Sequence, residues 1–167
     1  MPHSTESMKR IQQKVYYYLL RLFGERAFEV TPERTFRVRK GSCVVDVEVR
    51  PWQDNDALVV FSACVVKGAD VGEELMRKLL ELNGQKLQFG SFGLDENGDV
   101  VLTHSAIGTT LDKDELRYAI WSVAVLADGY DDVVKEKYGG QTMAECLGAA
   151  EEDGGCWEDH FDYEFIL

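Results

Sequence analysis

The stretch from Leu79 to Leu102, LLELNGQKLQFGSFGLDENGDVVL, constrains the fold of this chain more than any other part of the sequence. A helix pattern ends at Leu82-Asn83-Gly84, a strand pattern follows, and Asn97-Gly98 is typical of a tight turn before a returning strand. An amphipathic helix pattern comes next, from about Lys113 to Tyr130. This succession indicates a fold class much more firmly than it indicates any chemistry.

Upstream, the sequence predicts a first helix, a group of antiparallel strands and a second helix. The first helix is capped by Ser4 or Thr5 and ends near Phe23, and Asp70 caps the second. The strand patterns and the second helix occupy residues 28–30, 36–39, 43–50, 57–66 and 71–82. The order α-β-β-β-α-β-β-α predicts an α+β fold with helices against an antiparallel sheet.

Charge and length divide the chain into one α+β domain, residues 1–140, and an acidic aromatic tail, residues 141–167. The net charge is −12, but residues 1–50 carry +4 and the tail carries −8 without a single Lys or Arg. Such acidity disfavours nucleic acid as a partner. No apolar run is long enough to span a bilayer, and the first ten residues lack the pattern of a signal peptide, so we expect a cytoplasmic protein.

The sequence resembles the YbjN-like and type III secretion chaperone-like superfamily over roughly residues 5–135. The resemblance is carried by the segments Leu79–Asn83, Leu87–Gly90 and Asp95–Leu102, then by Leu111-Asp112 and by Ala127–Tyr130 in the long helix. It implies a small, acidic, dimeric cytoplasmic protein. Its secretion-chaperone members hold an unfolded segment of a partner in extended form, and its YbjN-like members are described as sensory transduction regulators.

Motifs for catalysis and for cofactor binding are missing from the sequence, so no catalytic residue and no cofactor is assigned. Asp95–Asp99 is explained by a hairpin turn better than by a calcium loop, whose spacing it does not match. Cys156 to His160, with Cys146, makes a weak metal site because its spacing is irregular. Cys43 and His104 form a nucleophilic pair only if their strands are neighbours, and a buried structural cysteine is the commoner role.

Large apolar side chains outside the expected core are the candidate partner-binding residues. The first helix has more apolar surface than one sheet face needs, and the long helix has a second apolar strip. In the tail, aromatic residues alternate with acids, which suggests a strand or docking segment, although a disordered acidic tail is the alternative. The candidates are Tyr17, Leu20, Trp52, Tyr118, Trp121, Val125, Trp157 and Phe161.

These observations favour a non-enzymatic, chaperone-like module that binds a protein or an extended peptide and forms a homodimer. A regulatory adaptor for one folded partner is the alternative, and a metal-dependent protein that uses the tail cluster is a weaker one. We also expect the tail, residues 141–167, to pair with the basic first third and to inhibit partner binding.

Overall fold

Seven strands and four α-helices make up the fold in the computed structural model, which describes residues 2–40, 43–53 and 55–148. The strands are β1 (Phe28–Val30), β2 (Phe36–Lys40), β3 (Cys43–Trp52), β4 (Asp56–Lys67), β5 (Ser91–Leu94), β6 (Val100–Ile107) and β7 (Gln141–Thr142). The helices are α1 (Pro2–Phe23), α2 (Glu73–Gln85), α3 (Lys113–Tyr138) and α4 (Met143–Cys146).

The strands form one antiparallel sheet in the order β1-β2-β3-β4-β6-β5, and β7 pairs with the end of β4. The predicted α+β fold with an antiparallel sheet is therefore confirmed. Residues 28–30 and 36–39 were predicted only as short strand candidates in a three-stranded group. Both form strands, so four strands precede α2.

Alternation along the strands decides which face of the sheet is covered. In β3 the side chains of Val45, Val47 and Val49 are buried, while those of Asp46 and Glu48 between them are only half-buried. Helices α1 and α3 pack across β3 and β4 on the buried side. The other side carries no helix among the described residues, and we call it the open face.

The long third helix begins where the sequence predicts. The side chain of Asp112 accepts a hydrogen bond from the Glu115 backbone N–H at 2.7 Å, which confirms the predicted cap. The helix continues to Tyr138 without a break, so the expected short helix at residues 131–138 is its last part. Helix α3 packs over the central strands of the sheet, which buries most of its side chains between Ala119 and Ala127.

Other boundaries differ from the sequence prediction. Helix α1 begins at Pro2, before the expected caps Ser4 and Thr5. Helix α2 begins at Glu73 after an extended Gly72 that gives no side-chain cap, so Asp70 is not the cap. It runs through Gly84 to Gln85, because the buried stripe Leu75, Leu79 and Leu82 holds the whole helix against the sheet.

Strand β5 is shorter than the expected 87–94 because the chain turns sharply at Gly90. Its φ is +72°, and a Cβ atom there would lie 2.9 Å from the Thr103 carbonyl oxygen. Pairing with β6 therefore begins at Ser91. The predicted turn at Asn97-Gly98 is confirmed, with the Gly98 N–H donating to the Asp95 carbonyl oxygen at 3.0 Å.

The folded unit extends beyond residue 140, where the domain boundary was expected. Thr142 pairs with Val66 of β4, is 4% exposed, and caps α4 in a capping box with Glu145. A salt bridge joins Glu145 to Lys135 of α3. Residues 141–148 therefore belong to the packed domain, and the part of the tail that the structure does not describe is residues 149–167.

Candidate functional site

The two edge strands of the sheet, β1 and β5, are where a polypeptide could add to this fold. An edge strand has a row of backbone N–H and C=O groups that point away from the sheet. Both edges also have large apolar side chains exposed beside them. The two edges differ in whether their outward-facing backbone groups are already hydrogen-bonded and in the net charge of the surrounding residues.

On β1, the hydrogen-bonding register leaves the backbone groups of Phe28 and Val30 pointing outward. The Thr31 N–H donates to the Thr35 carbonyl oxygen at 2.9 Å, which closes the β1–β2 hairpin. Because bonded pairs alternate in an antiparallel ladder, Glu29 bonds to Arg37, and the residues on either side of Glu29 face away from β2. Within the described residues, no side chain caps these outward groups.

Aromatic side chains form an apolar surface next to that edge. The rings of Tyr16, Phe28 and Phe36 contact one another, with centroids 5.7 to 6.4 Å apart. Phe36 belongs to the core, but Tyr16 is 42% exposed and Val30 is 50% exposed. Leu20 lies one turn after Tyr16 on the same side of α1 and is half-buried.

A groove continues this surface along α1. It has a volume of about 300 Å³ and lies between the first turns of α1, the β1–β2 turn and the end of β3. Gln12 lines it one turn before Tyr16, so the groove and the aromatic cluster share one side of the helix. The other lining residues are Met8, Lys9, Glu33, Arg34, Glu48, Val49, Arg50 and Pro51. We call the groove together with Tyr16, Leu20, Phe28 and Val30 the β1 surface.

The elements that build the β1 surface are basic. Residues 2–40 contain nine Lys or Arg and four acids, a net charge of +5. On the open face, Arg37 donates two hydrogen bonds to Asp46, at 2.8 and 3.0 Å. The hydrogen bond to Asp46 raises the pKa of the Arg37 guanidinium, which stays charged in any case. The charge of Arg37 is thus shared by Asp46 and Glu29, and it is the net charge of residues 2–40 as a whole that attracts an acidic ligand.

On β5, the same alternation leaves the backbone groups of Phe92 and Leu94 pointing outward, and those of Phe92 are already satisfied. The Asn83 side chain accepts a hydrogen bond from the Phe92 N–H at 2.7 Å and donates one to the Phe92 carbonyl oxygen at 3.0 Å. Its amide thus takes the place that a neighbouring strand would occupy. Such a cap protects an edge against strand addition.

The β5 side is also acidic. Residues 70–99 contain seven acids and three Lys or Arg, a net charge of −4. Its apolar side chains include Leu80, which is 70% exposed on the outer side of α2, and Met76 one turn earlier at 44%. Phe89 and Leu94 are exposed nearby, before and at the end of β5. We call these four residues the α2 surface.

The structure distributes the predicted site residues over several places. Tyr17 is 55% exposed on α1 beside Tyr16, and Leu20 belongs to the β1 surface. Trp52 is 42% exposed and directly follows the groove residue Pro51. Tyr118 and Val125 lie on α3, exposed and half-buried respectively. Trp157 and Phe161 lie outside the described residues. A role for these residues in partner binding stays a prediction.

Trp121 requires a correction, because it is not on the surface. Its side chain is 5% exposed, and the Lys40 ammonium of β2 lies 5.2 Å from the centroid of its ring. The expected contact of Trp121 with another element is therefore made to β2 of its own chain. The reason is the position of α3 over the sheet, which buries the second apolar strip at this point.

Cys43 and His104, which could act as a nucleophilic pair only on neighbouring strands, are separated in the fold. Cys43 is on β3 and His104 is on β6, with β4 between them. Burial, together with the carboxylates of Asp128 and Asp131, raises the pKa of the Cys43 thiol to about 12. His104 instead lies against the rings of Phe61 and Phe89, and burial lowers its pKa.

Two further expectations concern metals and membranes. The described residues contain no group of three or more metal-ligating side chains, and the Cys156–His160 cluster lies outside them. In the same part of the chain, no helix is both long and apolar enough to cross a bilayer.

Sequence reasoning missed Asn83 and the outward-facing pair Phe28 and Val30. Asn83 was interpreted only as part of a helix end, although it closes one edge of the sheet. The β1 strand was only a short candidate. The sequence did contain a signal for this strand: two large apolar residues at alternating positions, Phe28 and Val30, directly before Thr31-Pro32.

Comparison with known proteins gives a family and a fold. The family model TY-Chap1, described as "T3SS (YopN, CesT) and YbjN peptide-binding chaperone 1", matches residues 9–146. No curated protein matches the chain. The crystal structure of the ExsC–ExsE complex contains a similar chain, with a TM-score of 0.57 and 16% identity over 76% of this chain and 95% of that one.

A second similar structure is the heterodimeric ExoU–SpcU complex from the type III secretion system of Pseudomonas aeruginosa. It aligns with a TM-score of 0.49 and 15% identity, over 72% of this chain and 97% of that one.

Proposed function

The chain belongs to the TY-Chap1 family of peptide-binding chaperones, and from that premise we propose that it binds an extended segment of a partner protein along the β1 surface. The observation that carries the proposal is the pair of outward-facing backbone groups at Phe28 and Val30, directly beside exposed apolar side chains. A segment of a partner adds there as a strand, and the backbone hydrogen bonds hold it without regard to its sequence.

Side chains then select which segments bind. On an added strand, every second residue faces the helices, next to Tyr16 and Phe28, and the residues between face the open side near Arg37. A large apolar side chain that becomes buried contributes about 1.5–3 kcal/mol, part of which is offset by the ordering of the segment. The preferred segment therefore alternates large apolar residues with acids.

The arrangement is that of a binding module, and we propose that the protein is not an enzyme. The surface combines backbone groups, aromatic rings and basic side chains, which suit the retention of a peptide. The raised pKa of Cys43 supports this reading, because a thiol with a pKa of about 12 is protonated at neutral pH and is a poor nucleophile.

Matched tyrosine variants test the location of the site. Tyr16 and Tyr118 are both 42% exposed, but only Tyr16 lies in the aromatic cluster beside β1. The probe is a fluorescent ten-residue peptide that alternates glutamate with phenylalanine or leucine, titrated into the full-length protein. We expect Tyr16→Ser to weaken binding about five- to tenfold, from about 1 kcal/mol of lost burial, and Tyr118→Ser to leave it unchanged. Equal losses in the two variants would refute this placement.

We further propose that the protein is a homodimer that associates through the α2 surface. Leu80 and Met76 form an exposed apolar stripe, and the capped β5 edge leaves side-chain packing as the mode of association. Sedimentation equilibrium of Leu80→Glu should then show a monomer. A folded partner protein on the same surface, as in an adaptor, would instead leave the purified protein monomeric before and after the substitution.

We infer that the protein acts in the cytoplasm. The support is chemical: the cysteines of the described residues, Cys43, Cys64 and Cys146, are free thiols, which a reducing compartment preserves.

A further inference from the structure

The last part of the sequence has the properties of a ligand for the β1 surface. Residues 149–167 contain seven acids and neither Lys nor Arg. From Phe161 onward the sequence alternates: Phe161, Tyr163, Phe165 and Leu167 are apolar, and Asp162 and Glu164 stand between them. We propose that residues 157–167 add as a strand to β1 of the same chain and compete there with the partner segment. This inference rests on the proposed function of the β1 surface.

Charge selects the β1 edge over the β5 edge. The docking segment, residues 157–167, has a net charge of −4, which is attracted by the +5 of residues 2–40 and repelled by the −4 of residues 70–99. The hydrogen bonds of Asn83 to Phe92 also occupy the middle of the β5 edge. Both the electrostatics and the backbone therefore favour β1.

The alternation matches the two sides of an added strand. With its odd-numbered residues toward α1, the strand brings Phe161, Tyr163 and Phe165 to the exposed ring of Tyr16 and to Val30. Asp162 and Glu164 then face the open side. On that side β1 presents Glu29, which pairs with Arg37 at 4.0 Å, and β2 presents Arg37 and the exposed Arg39, so the unshared positive charge near the two acids is that of Arg39.

The connection is long enough to reach. The described chain ends at residue 148, just after α4, which packs against β3 and β4 at the Val66 end of β4. Strands lie about 4.8 Å apart, so a strand added to β1 is about 19 Å across the sheet from β4. With about 10 Å along the strands from Val66 to the level of Phe28, the separation is about 22 Å. Residues 149–156 span up to about 26 Å when extended. They can therefore bring residue 157 to β1.

Binding within one chain makes this competition effective. A short connection gives the tail an effective concentration in the millimolar range, so even a tail with an intrinsic Kd of about 100 μM weakens a competing ligand about tenfold. The partner segment must displace the tail, which protects the apolar β1 surface when no partner is present.

The test uses the full chain with a silenced tail, Phe161→Ser/Tyr163→Ser/Phe165→Ser. The probes are a fluorescent peptide of residues 157–167 and the alternating Glu/Phe peptide described above. We expect the silenced variant to bind both probes about tenfold more tightly than the wild-type chain does. A matched variant, Glu151→Gln/Glu152→Gln, changes the tail outside the docking segment and should stay within about threefold of wild type.

The outcomes separate this inference from the proposed function. If the Glu/Phe peptide binds wild type and the silenced variant equally, the β1 surface binds peptides but the tail does not occupy it. If Tyr16→Ser leaves binding unchanged in both backgrounds, the proposed function fails as well. If the difference between wild type and variant disappears on dilution, the tail binds a second copy, which would overturn the assignment to the same chain.

Discussion

Both edges of the sheet have exposed apolar side chains beside them, but the two edges suit different ligands. At β1 the exposed residues Tyr16 and Val30 stand beside outward-facing backbone groups and a positive net charge. At β5 the exposed residue Leu80 stands near a strand whose central residue, Phe92, is capped by Asn83, and the net charge there is negative. Exposed apolar area alone thus does not identify a peptide site. The hydrogen-bonding state of the edge distinguishes strand addition from side-chain packing.

We expect the largest effect on peptide affinity from a change to the backbone of β1, which would remove the difference between the two edges. Val30→Pro removes an outward N–H while leaving the β1–β2 hydrogen bonds in place, and proline is tolerated on edge strands. We expect the affinity for the alternating Glu/Phe peptide to fall about ten- to a hundredfold, from one lost hydrogen bond and a local clash. Val30→Thr, which keeps the N–H and the branched shape, should stay within about threefold. Peptide binding by Val30→Pro at wild-type affinity would show that no strand adds at this edge.

The next change makes the β5 edge resemble β1. Asn83→Ala leaves the Phe92 N–H and carbonyl without their partner, and we expect a loss of about 1–2 kcal/mol in the free energy of unfolding. We also expect concentration-dependent self-association through the opened edge, measured by sedimentation velocity. Asn83→Asp keeps an acceptor for the Phe92 N–H, so its effects should be intermediate. A stable and monodisperse Asn83→Ala protein would contradict the role of this cap.

Salt sharpens the comparison through the opposite charges of the two edges. Raising the ionic strength from about 0.05 to about 0.5 M shortens the Debye length from above 10 Å to below 5 Å. We expect the acidic peptide to bind the basic β1 surface several-fold more weakly at high salt. Self-association through the acidic α2 surface should be unchanged or stronger. A peptide affinity that is independent of salt would show that charge does not determine which peptides the β1 surface binds.

The smallest effect concerns pH and the β5 side, where Phe89 contacts His104. Burial lowers the folded-state pKa of His104, while the Glu115 carboxylate opposes this weakly. The unfolded chain therefore binds the proton more readily, so stability is complete above the unfolded pKa of about 6.5 and falls as the pH drops below it. Urea midpoints of the wild type should decrease between about pH 7.5 and 5.5. His104→Gln should flatten that slope, and an unchanged slope would place the pH dependence elsewhere.

Features of the fold that depend on contacts between residues close in sequence were predictable, and features that depend on tertiary contacts were not. The helices and most strands were predictable because alternation and helical periodicity are local, as in β3 with Val45, Val47 and Val49. The Asp112 cap and the turn at Asn97-Gly98 were local for the same reason. The end of α2 could not be predicted in this way, because Gly84 remains helical only through the packing of the whole helix.

The candidate site was less predictable because it depends on which elements become neighbours. Tyr17 and Leu20 were predicted from the excess apolar surface of α1, and they lie in or beside the β1 surface. Trp121 was a candidate for partner binding, but only the packed fold shows that its side chain is buried and contacts Lys40 of β2. The Asn83 cap joins α2 to β5 between residues nine positions apart, and no local sequence pattern predicts such a contact.

The central claim is that β1 is open to strand addition while Asn83 blocks β5 at Phe92, and amide hydrogen exchange measured by NMR tests it most directly. The rates to compare are those of the Val30 and Phe92 N–H groups, in the silenced-tail variant with and without saturating Glu/Phe peptide. The account predicts that the peptide slows exchange at Val30 and leaves Phe92 unchanged. Slowed exchange at Phe92, or an unchanged rate at Val30 with the peptide bound, would contradict it.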